Sequence, residues 1–353
     1  MNVTDYLQTW AASYKEDFVN NIMPFWMRYG LDHKNGGVYT CLDRDGRLMD
    51  TTKSVWFQGR FGFIAAYAYN QIEQNPDWLA ASRSCIDFME KHCFDKDGRM
   101  FFEVTEEGLP LRKRRYVFSE CFAAIAMSEY ALASGDRTYA EKALDLFKRI
   151  LRNLATPGLL EPKYLPTLQA RGHSITMILI NTASRIRAAI SDPILDTQIN
   201  ESIAAIRRYF MHPEFKALLE MVGPDGELID TCNGRVINPG HCIETAWFIL
   251  EEAKHRHWDK DLVQMGIRIL EWSWEWGWDK EYGGIINFRD CRNFPVQDYS
   301  QDMKFWWPQT EAIIATLYAY QATCDEKYLD MHRQISDWTY ACLLYTSPSP
   351  RDA

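Results

Sequence analysis

The residues best suited to acid–base chemistry lie in the segment Asn238-Pro239-Gly240-His241-Cys242-Ile243-Glu244. Pro and Gly precede an apolar helical pattern, so His241 is predicted near a helix N-terminus, with Glu244 three residues later on the same face. A neighbouring carboxylate can fix the tautomer of an imidazole and tune its pKa towards neutral, as a general base requires, whereas the helix N-terminus disfavours the imidazolium. The alternative interpretation is a capping glutamate beside a buried structural histidine.

A second group of aromatic and polar residues lies at Lys304-Phe305-Trp306-Trp307-Pro308-Gln309-Thr310-Glu311, again at a predicted helix start. Two indoles, an amide and a carboxylate at one helix end are typical of a carbohydrate site, because indole faces stack on sugar C–H faces and polar groups bind hydroxyls. Trp307 and Glu311 are therefore candidate substrate contacts. An aromatic core plug with polar residues in the first turn explains the same spacing.

Arg60, in Trp56-Phe57-Gln58-Gly59-Arg60, is predicted to be embedded among apolar residues, where an unpaired charge is costly. We expect it either to pair with a structural carboxylate or to present its guanidinium to a ligand oxygen or a developing oxyanion. Tyr39, Glu120 and Lys163 are further candidates for substrate contacts.

A metal site is not expected. The His-x-x-Glu spacing at His241 could supply two ligands, but no second His, Cys or Asp pair with ligand spacing stands out. The nine cysteines are scattered without a CxxC pair, which indicates reduced core residues of a cytosolic protein and no disulfide framework.

The elements that position these residues are predominantly helical. Apolar residues recur with helical spacing in eleven segments, and Thr4 is the predicted N-cap of the first. Short polar turns connect some helices, and longer loops with Asp-Gly or Gly-Gly hairpin signals connect others. A ring of helical hairpins, the all-α (α/α)6 barrel, fits this pattern with one of its twelve helices missing. The predicted helices are 4–29, 54–74, 77–92, 117–134, 137–154, 174–191, 195–210, 241–256, 260–277, 306–323 and 327–343.

The end of the chain departs from this pattern. The helical period stops near Leu343, and a Ser/Pro string, Ser347-Pro348-Ser349-Pro350, follows. We interpret residues 1–343 as a single domain whose last helix is absent, and residues 344–353 as a non-native or disordered tail.

Composition narrows the class of protein. With a net charge of −9, 47% hydrophobic and 25% charged residues, the chain is an ordinary globular one. The acidic balance argues against a nucleic-acid partner, because phosphate binding needs a concentrated basic surface. No segment reaches the roughly 18 apolar residues of a membrane span, and the charged N-terminus lacks the apolar core of a signal peptide. A cytoplasmic location is expected.

Four motifs, in this order and spacing, resemble the N-acylglucosamine 2-epimerase family over about residues 5–342. The resemblance implies an (α/α)6 barrel with a pocket at its loop-rich end, a homodimer, and interconversion of N-acetylglucosamine and N-acetylmannosamine. In that chemistry the sugar ring opens, a base removes the C2 proton, and the enolate is reprotonated on its opposite face. The four motifs are Trp56-Phe57-Gln58-Gly59-Arg60, Phe118-Ser119-Glu120, Asn238-Pro239-Gly240-His241-Cys242-Ile243-Glu244 and Trp306-Trp307-Pro308-Gln309-Thr310-Glu311.

The resemblance also implies roles for individual residues. His241 matches one family base, with Glu244 as its partner, and Arg60 matches the arginine that polarises the carbonyl oxygen. The second family base is a histidine on the last helix, which His332 on the eleventh helix does not match, so we expect this chain to have little or no epimerase activity. Pocket-lining positions are implied for Lys163, Asn181, Trp307 and Glu311.

Relatives on the same fold suggest different substrates or roles. Cellobiose 2-epimerases and aldose–ketose isomerases carry a further histidine on the sixth helix, where this sequence has Met177, with His173 one turn earlier. This difference favours the N-acyl-hexosamine branch. A non-catalytic carbohydrate- or protein-binding barrel is also compatible with the motifs, as is a glycoside hydrolase that uses Glu120 and Glu311. No cofactor is implied, and because there is no P-loop, ATP would act only as an allosteric activator.

Overall fold

The computed structural model describes residues 2–114 and 116–346, with side chains as far as residue 341. Arg115 and the predicted tail from Ser347 onwards lie outside the described residues. The chain divides into two compact units, Met1–Lys163 with Thr182–Leu195, and Tyr164–Asn181 with Asp196–Ala353. The single domain over residues 1–343 therefore stays a prediction.

All eleven predicted helices are present in the described residues. The first consists of three consecutive segments, because α1 (Val3–Asp17) continues through a π-helical turn at Phe18–Ile22 into α2 (Met23–Tyr29). Within the first unit α3 packs against α4 and α5, and α5 packs against α6. The helices of this unit that follow α2 are α3 (Val55–Gln71), α4 (Pro76–His92), α5 (Phe118–Ser134) and α6 (Arg137–Ala155).

Side-chain caps set the starts of several helices. The predicted N-cap Thr4 is wrong: Asn2 caps α1, and its side-chain oxygen accepts the Asp5 N–H at 2.8 Å. Asn is among the strongest N-cap residues, because its short side chain satisfies a free first-turn donor. Asn75 and Asp136 cap α4 and α6 in the same way.

The second unit contains the helices that carry His241 and Trp307. In it α9 packs against both α10 and α11, and α11 packs against α12. The last helix extends to Thr346, beyond its predicted end near Leu343, since the first residue that breaks a helix is Pro348. The helices are α9 (Pro239–His255), α10 (Lys260–Gly277), α11 (Trp306–Thr323) and α12 (Lys327–Thr346).

Two further helices, α7 (His173–Ala189) and α8 (Pro193–Ala205), have residues in both units. A π-helical turn at Ile206–Phe210 follows α8. None of the helices in the described residues is both long and apolar enough to cross a membrane.

Short antiparallel strands join loops that are distant in sequence. β6 ends directly before α7, and β10 ends directly before the Asn238 cap of α9, so strand pairing positions both helix starts. The pairs are β1 (Cys41–Leu42) with β2 (Leu48–Asp50), β3 (Lys53–Ser54) with β4 (Glu103–Val104) and β4 with β5 (Pro110–Arg112), β6 (Arg171–Gly172) with β9 (Met221–Val222), β7 (Met211–His212) with β8 (Ala217–Leu218), and β10 (Val236–Ile237) with β11 (Arg289–Asp290).

Candidate active site

His241 lies in the first turn of α9, as the sequence predicts. The side-chain oxygen of Asn238 accepts the His241 backbone N–H at 3.2 Å, which fixes the start of the helix. Gly240 is needed beside it, because a Cβ atom there would lie 2.4 Å from the ring of Trp307. The His241 side chain keeps 30% of its surface exposed, so a ligand can reach it.

Trp307 forms one wall next to the imidazole. The ring centroids of His241 and Trp307 are 5.2 Å apart, with an angle of 39° between the planes. The start of α11 is held by Gln309, whose amide accepts the Ile285 N–H at 2.7 Å and donates to the Ile285 carbonyl at 2.8 Å. Two of the predicted motifs therefore meet at one place in the second unit.

Glu220 is the hydrogen-bond partner of His241, and sequence reasoning missed it. Both carboxylate oxygens lie 3.1 Å from Nδ1 of His241. The backbone of Glu220 is fixed on both sides, since its N–H donates to the Val236 carbonyl and its carbonyl accepts the His173 N–H at 3.0 Å. A signal was available: Glu220 is the only charged residue in the apolar run Leu218-Leu219-Glu220-Met221-Val222.

The charges around His241 favour its protonated form. Burial lowers the pKa of His241, but the charge and hydrogen bond of Glu220 and the charges of Glu244 and Glu311 outweigh burial and raise it to about 9. Burial would raise the pKa of Glu220, yet the imidazoles of His241 and His173 hold it well below its ordinary value. The predicted pKa near neutral is therefore too low, because three carboxylates converge where the sequence indicated one. His241 is mainly an imidazolium at neutral pH.

Glu244 and Glu311 both act on His241 through their charge. Glu311 is also anchored, since one of its carboxylate oxygens accepts the indole N–H of Trp247 at 2.6 Å. Trp247 in turn stacks on Tyr318, with 6.1 Å between ring centroids and 10° between the planes. Glu311, a predicted substrate contact, thus has a fixed position, and its charge contributes to the electrostatics around His241.

His173, which the sequence places one turn before Met177, belongs to the same group of residues. Its side chain is fully buried, and Nε2 lies 3.1 Å from the Thr245 hydroxyl oxygen. Nδ1 of His173 lies 3.7 Å from the nearer carboxylate oxygen of Glu220. Met177 is a buried apolar residue of α7, exposed by only 3%.

In the first unit Arg60 differs from its prediction. It is exposed on α3 and not embedded, and its guanidinium lies over the face of Phe122, 4.4 Å from the ring centroid. No carboxylate partner of Arg60 is found among the described residues, and its role towards a ligand stays a prediction. A guanidinium on an aromatic face keeps its N–H groups free for an oxyanion.

Two other predicted contacts of the first unit take part in its loop structure. The Tyr39 hydroxyl donates to a carboxylate oxygen of Glu106 at 2.8 Å. Glu120 is only 1% exposed, and one of its oxygens accepts the Met100 N–H at 2.8 Å. Burial raises the pKa of Glu120. The sugar contacts of Tyr39 and Glu120 stay predictions.

The remaining candidates lie outside this group of contacts. Lys163 is exposed in the loop before α7, and Asn181 is half-buried within α7. His332 is fully buried, 3.4 Å from the Ser336 hydroxyl, and burial lowers its pKa to about 4. These are the properties of a core histidine. Across the described part of the chain, no group of three or more His, Cys, Asp or Glu side chains is arranged to hold a metal ion.

Comparison with known proteins places the chain in a family of epimerases. The profile of the N-acylglucosamine 2-epimerase (GlcNAc 2-epimerase) family matches residues 37–346. The N-acylglucosamine 2-epimerase of Bos taurus is 30% identical over 331 residues, covering 91% of this chain and 78% of the bovine protein. The cellobiose 2-epimerase of Ruminococcus albus is 24% identical, covering 91% of this chain and 84% of that protein.

Solved structures show the fold. The structure of cellobiose 2-epimerase from Bacillus thermoamylovorans superposes with a TM-score of 0.82 at 20% identity, covering 95% of this chain and 88% of that one. Such enzymes are (α/α)6 barrels, and this is the fold of the chain, as predicted. The relatives that match most of this chain are named epimerases, which are isomerases, so the chain belongs to an enzymatic family. Within the isomerases, the chain belongs to the N-acylglucosamine 2-epimerase family.

Proposed function

We propose that this protein is a sugar 2-epimerase that interconverts N-acetylglucosamine and N-acetylmannosamine. The observation that carries the proposal is the His241–Glu220 pair, in which a carboxylate holds Nδ1 of a solvent-reachable imidazole beside the Trp307 wall. The 30% identity to a protein named N-acylglucosamine 2-epimerase supports this choice of sugar.

Epimerisation at C2 requires removal of a weakly acidic proton and its return to the other face. In the open-chain sugar the aldehyde next to C2 makes that proton removable, because the electron pair of the broken C–H bond moves into an enolate. The reaction needs a proton-transfer group on each face and a hydrogen-bonding or cationic group at the enolate oxygen. His241 is the group we propose for one face.

Glu220 decides which nitrogen of His241 reacts. With Nδ1 held by the carboxylate, Nε2 carries the proton that is transferred. Because the free protein holds His241 mainly as the imidazolium, the first step we propose for it is donation of the Nε2 proton to C2 of the enolate. The neutral imidazole left behind is the base for the reverse direction.

The other candidates supply recognition in this proposal. The Arg60 guanidinium would stabilise the enolate oxygen, and Trp307 would stack on the sugar. Glu244 supports the imidazolium through its charge, as does Glu311. The remaining proposed sugar contacts are Tyr39, Glu120, Lys163 and Asn181.

Hydrogen–deuterium exchange at C2 tests the proposal. In D2O, the C2–H signal of N-acetylglucosamine or N-acetylmannosamine should disappear in the presence of protein, and His241→Asn should slow this exchange by about 100-fold or more. One base suffices to exchange the epimer whose C2–H faces it, whereas net epimerisation needs both groups. The exchange assay therefore reports on His241 independently of the rate of net epimerisation.

The same assay separates this function from those of the related enzymes. Exchange confined to cellobiose or mannose would replace this substrate by that of a cellobiose 2-epimerase or an aldose–ketose isomerase. Sugar binding without exchange of any sugar would indicate a non-catalytic barrel. We also propose a cytoplasmic homodimer without a required cofactor, in which any effect of ATP would be that of an allosteric activator. Sedimentation with and without ATP tests the assembly state.

A further inference from the structure

A second histidine, His173, is packed into the acid–base pair, and the proposed reaction gives it no role. It is the first residue of α7, and its backbone N–H donates to the Glu220 carbonyl at 3.0 Å. The imidazole is fully buried, with Phe210 edge-on at 5.5 Å between ring centroids. A fully buried ring cannot touch a sugar directly, so its function must operate through its neighbours.

The Thr245 hydroxyl is the hydrogen-bond partner of one nitrogen of His173. Its oxygen lies 3.1 Å from Nε2 of His173 and 2.8 Å from the His241 carbonyl. A hydroxyl has one hydrogen to donate and lone pairs to accept with, so it can hold Nε2 of His173 as an acceptor. In that arrangement the neutral His173 ring carries its proton on Nδ1.

The other nitrogen of His173 faces the carboxylate. Nδ1 is buried without a hydrogen-bond partner among the described residues, and it lies 3.7 Å from the nearer oxygen of Glu220. A bare lone pair facing a carboxylate in a buried site is unfavourable, whereas a proton on Nδ1 would give Glu220 a second charge-assisted donor. Both carboxylate oxygens of Glu220 lie 3.1 Å from Nδ1 of His241, so neither oxygen is occupied by His241 alone.

We propose that His173 is a positioning residue that shares the Glu220 carboxylate with His241, and that this sharing limits how tightly His241 holds its proton. The inference rests on the proposed function of His241 as a proton-transfer group. Its physical reason is that a carboxylate engaged by two imidazoles attracts the proton of each less strongly than it attracts that of a single partner.

The surroundings explain why such a limit is useful. The charged groups that act on His241 come from three segments, namely Glu220 between β8 and β9, Glu244 on α9 and Glu311 on α11. All three are carboxylates and stabilise the imidazolium. His173 on α7 is the opposing group, because a shared Glu220 leaves His241 able to release its proton.

Titration of the His241 ring by NMR in protein labelled with 15N-histidine tests this without requiring turnover. In His173→Gln the amide can still reach Thr245 but no longer presents a nitrogen to Glu220, and we expect the His241 titration to move up by about one pH unit, a tenfold gain in proton affinity. In His173→Asn the shorter amide can donate to Glu220, and a smaller rise is expected. An unchanged or lowered His241 titration in a folded His173→Gln protein overturns the proposal.

Two further variants control for folding and location. His212→Gln alters another buried histidine with a carboxylate partner, Glu214 at 2.9 Å, and should leave the titration of His241 unchanged. Thr245→Val removes the hydroxyl that donates to Nε2 of His173 and thereby keeps the ring proton on Nδ1, so it should raise the His241 titration, whereas Thr245→Ser keeps the hydroxyl and should not. If neither His173→Gln nor Thr245→Val moves it, the proposal fails. Failure of C2 exchange with these shifts present would overturn only the proposed function.

Discussion

Two loop–helix modules, residues 32–60 in the first unit and residues 279–311 in the second, are held together by the same kinds of contact but differ in the residues that they present. Asp32 in the first unit accepts the N–H groups of Lys34 and Asn35 at 2.9 and 3.0 Å. Asp279 in the second unit accepts the N–H groups of Glu281 and Tyr282 at 2.9 and 3.1 Å. In both, a Gly-Gly turn closes the loop through backbone hydrogen bonds to the aspartate.

A lysine and a glutamine complete each module with identical spacing. Lys53 and Lys304 bind their aspartates at 2.6 and 2.7 Å. Five residues later, Gln58 and Gln309 each bind both the N–H and the carbonyl of one loop residue. The sequence repeats accordingly, Lys-x-x-Trp-x-Gln-x-Arg in the first unit and Lys-x-x-Trp-x-Gln-x-Glu in the second.

The modules differ in burial and in the residues that they present. Lys53 and Asp32 are 0% and 2% exposed, whereas Lys304 and Asp279 are 17% and 21% exposed. In the first module the tryptophan packs among aromatic rings; in the second it contacts His241. The residue two positions after the glutamine is Arg60 in the first module and Glu311 in the second. The comparison teaches that one scaffold can stabilise a core or support the proposed active site, depending on which residues surround it.

The largest expected effect separates the two ion pairs. Lys53→Met leaves Asp32 buried and unpaired, so we expect the free energy of unfolding to fall by about 3–5 kcal/mol. Lys304→Met leaves Asp279 in contact with water, and a loss of about 1 kcal/mol or less is expected. Urea unfolding followed by circular dichroism measures both. Equal losses would show that the modules do not differ in burial as described.

Trp56 is expected to contribute mainly to stability, and Trp307 mainly to substrate binding. Trp56→Ala removes a ring from an aromatic cluster and is expected to cost about 3 kcal/mol of unfolding free energy. Trp307→Ala removes the wall beside His241, and we expect its main effect to be a rise of about tenfold in the KM for sugar. Thermal unfolding and C2-exchange kinetics on both variants check this. A larger loss of unfolding free energy in Trp307→Ala than in Trp56→Ala would contradict this division of roles.

Glu120 offers a third form of the module. Like Gln58 and Gln309 it accepts a loop N–H, but its second oxygen is buried without a hydrogen-bond partner among the described residues, where a glutamine has an N–H donor. We expect Glu120→Gln to raise the free energy of unfolding at pH 7 by about 1 kcal/mol.

The pH dependence has a defined sign. Because the pKa of Glu120 is raised in the folded state, its carboxyl favours folding below the ordinary pKa of 4.5 and loses that contribution as pH rises through the folded value. The gain from Glu120→Gln should therefore shrink at pH 4 and below, where Glu120 is protonated. A gain that is constant from pH 3 to 8 would contradict the buried-acid interpretation.

The smallest effect concerns the charge that Glu311 brings to the site. Glu311→Gln keeps an oxygen for the Trp247 N–H but removes a charge that raises the pKa of His241, so the His241 titration should move down from about 9 by a few tenths of a unit. The stabilisation that His241 gains from its carboxylates is complete below pH 6.5 and is lost as pH rises through about 9. In Glu311→Gln that loss should be smaller and should be complete at a lower pH, and thermal unfolding midpoints measured as a function of pH check this.

Much of the fold was predictable because its signals are local. Helical periodicity, Gly-Gly and Asp-Gly turns and caps act within a few residues, and all eleven helices follow from them. The position of His241 is equally local, since Asn238, Pro239 and Gly240 set the start of its helix. The N-cap at Asn2 was misjudged by two residues, because capping choices between neighbouring polar residues are nearly equal in energy, and the end of α12 by three, because no helix-breaking residue precedes Pro348 in that segment.

What only the tertiary structure decided is which side chain stands beside which. Glu220 precedes His241 by 21 residues, and the two meet because β9 pairs with β6 and β10 pairs with β11 around them. The raised pKa of His241 sums the charges of carboxylates from three segments, and the Arg60 guanidinium packs on the ring of Phe122, which is distant in sequence. The sequence by itself determined the helices and the place of the candidate histidine His241 at a helix start. The partners that set the protonation of that histidine depend on long-range packing, since electrostatic energy depends on distance through space and not along the chain.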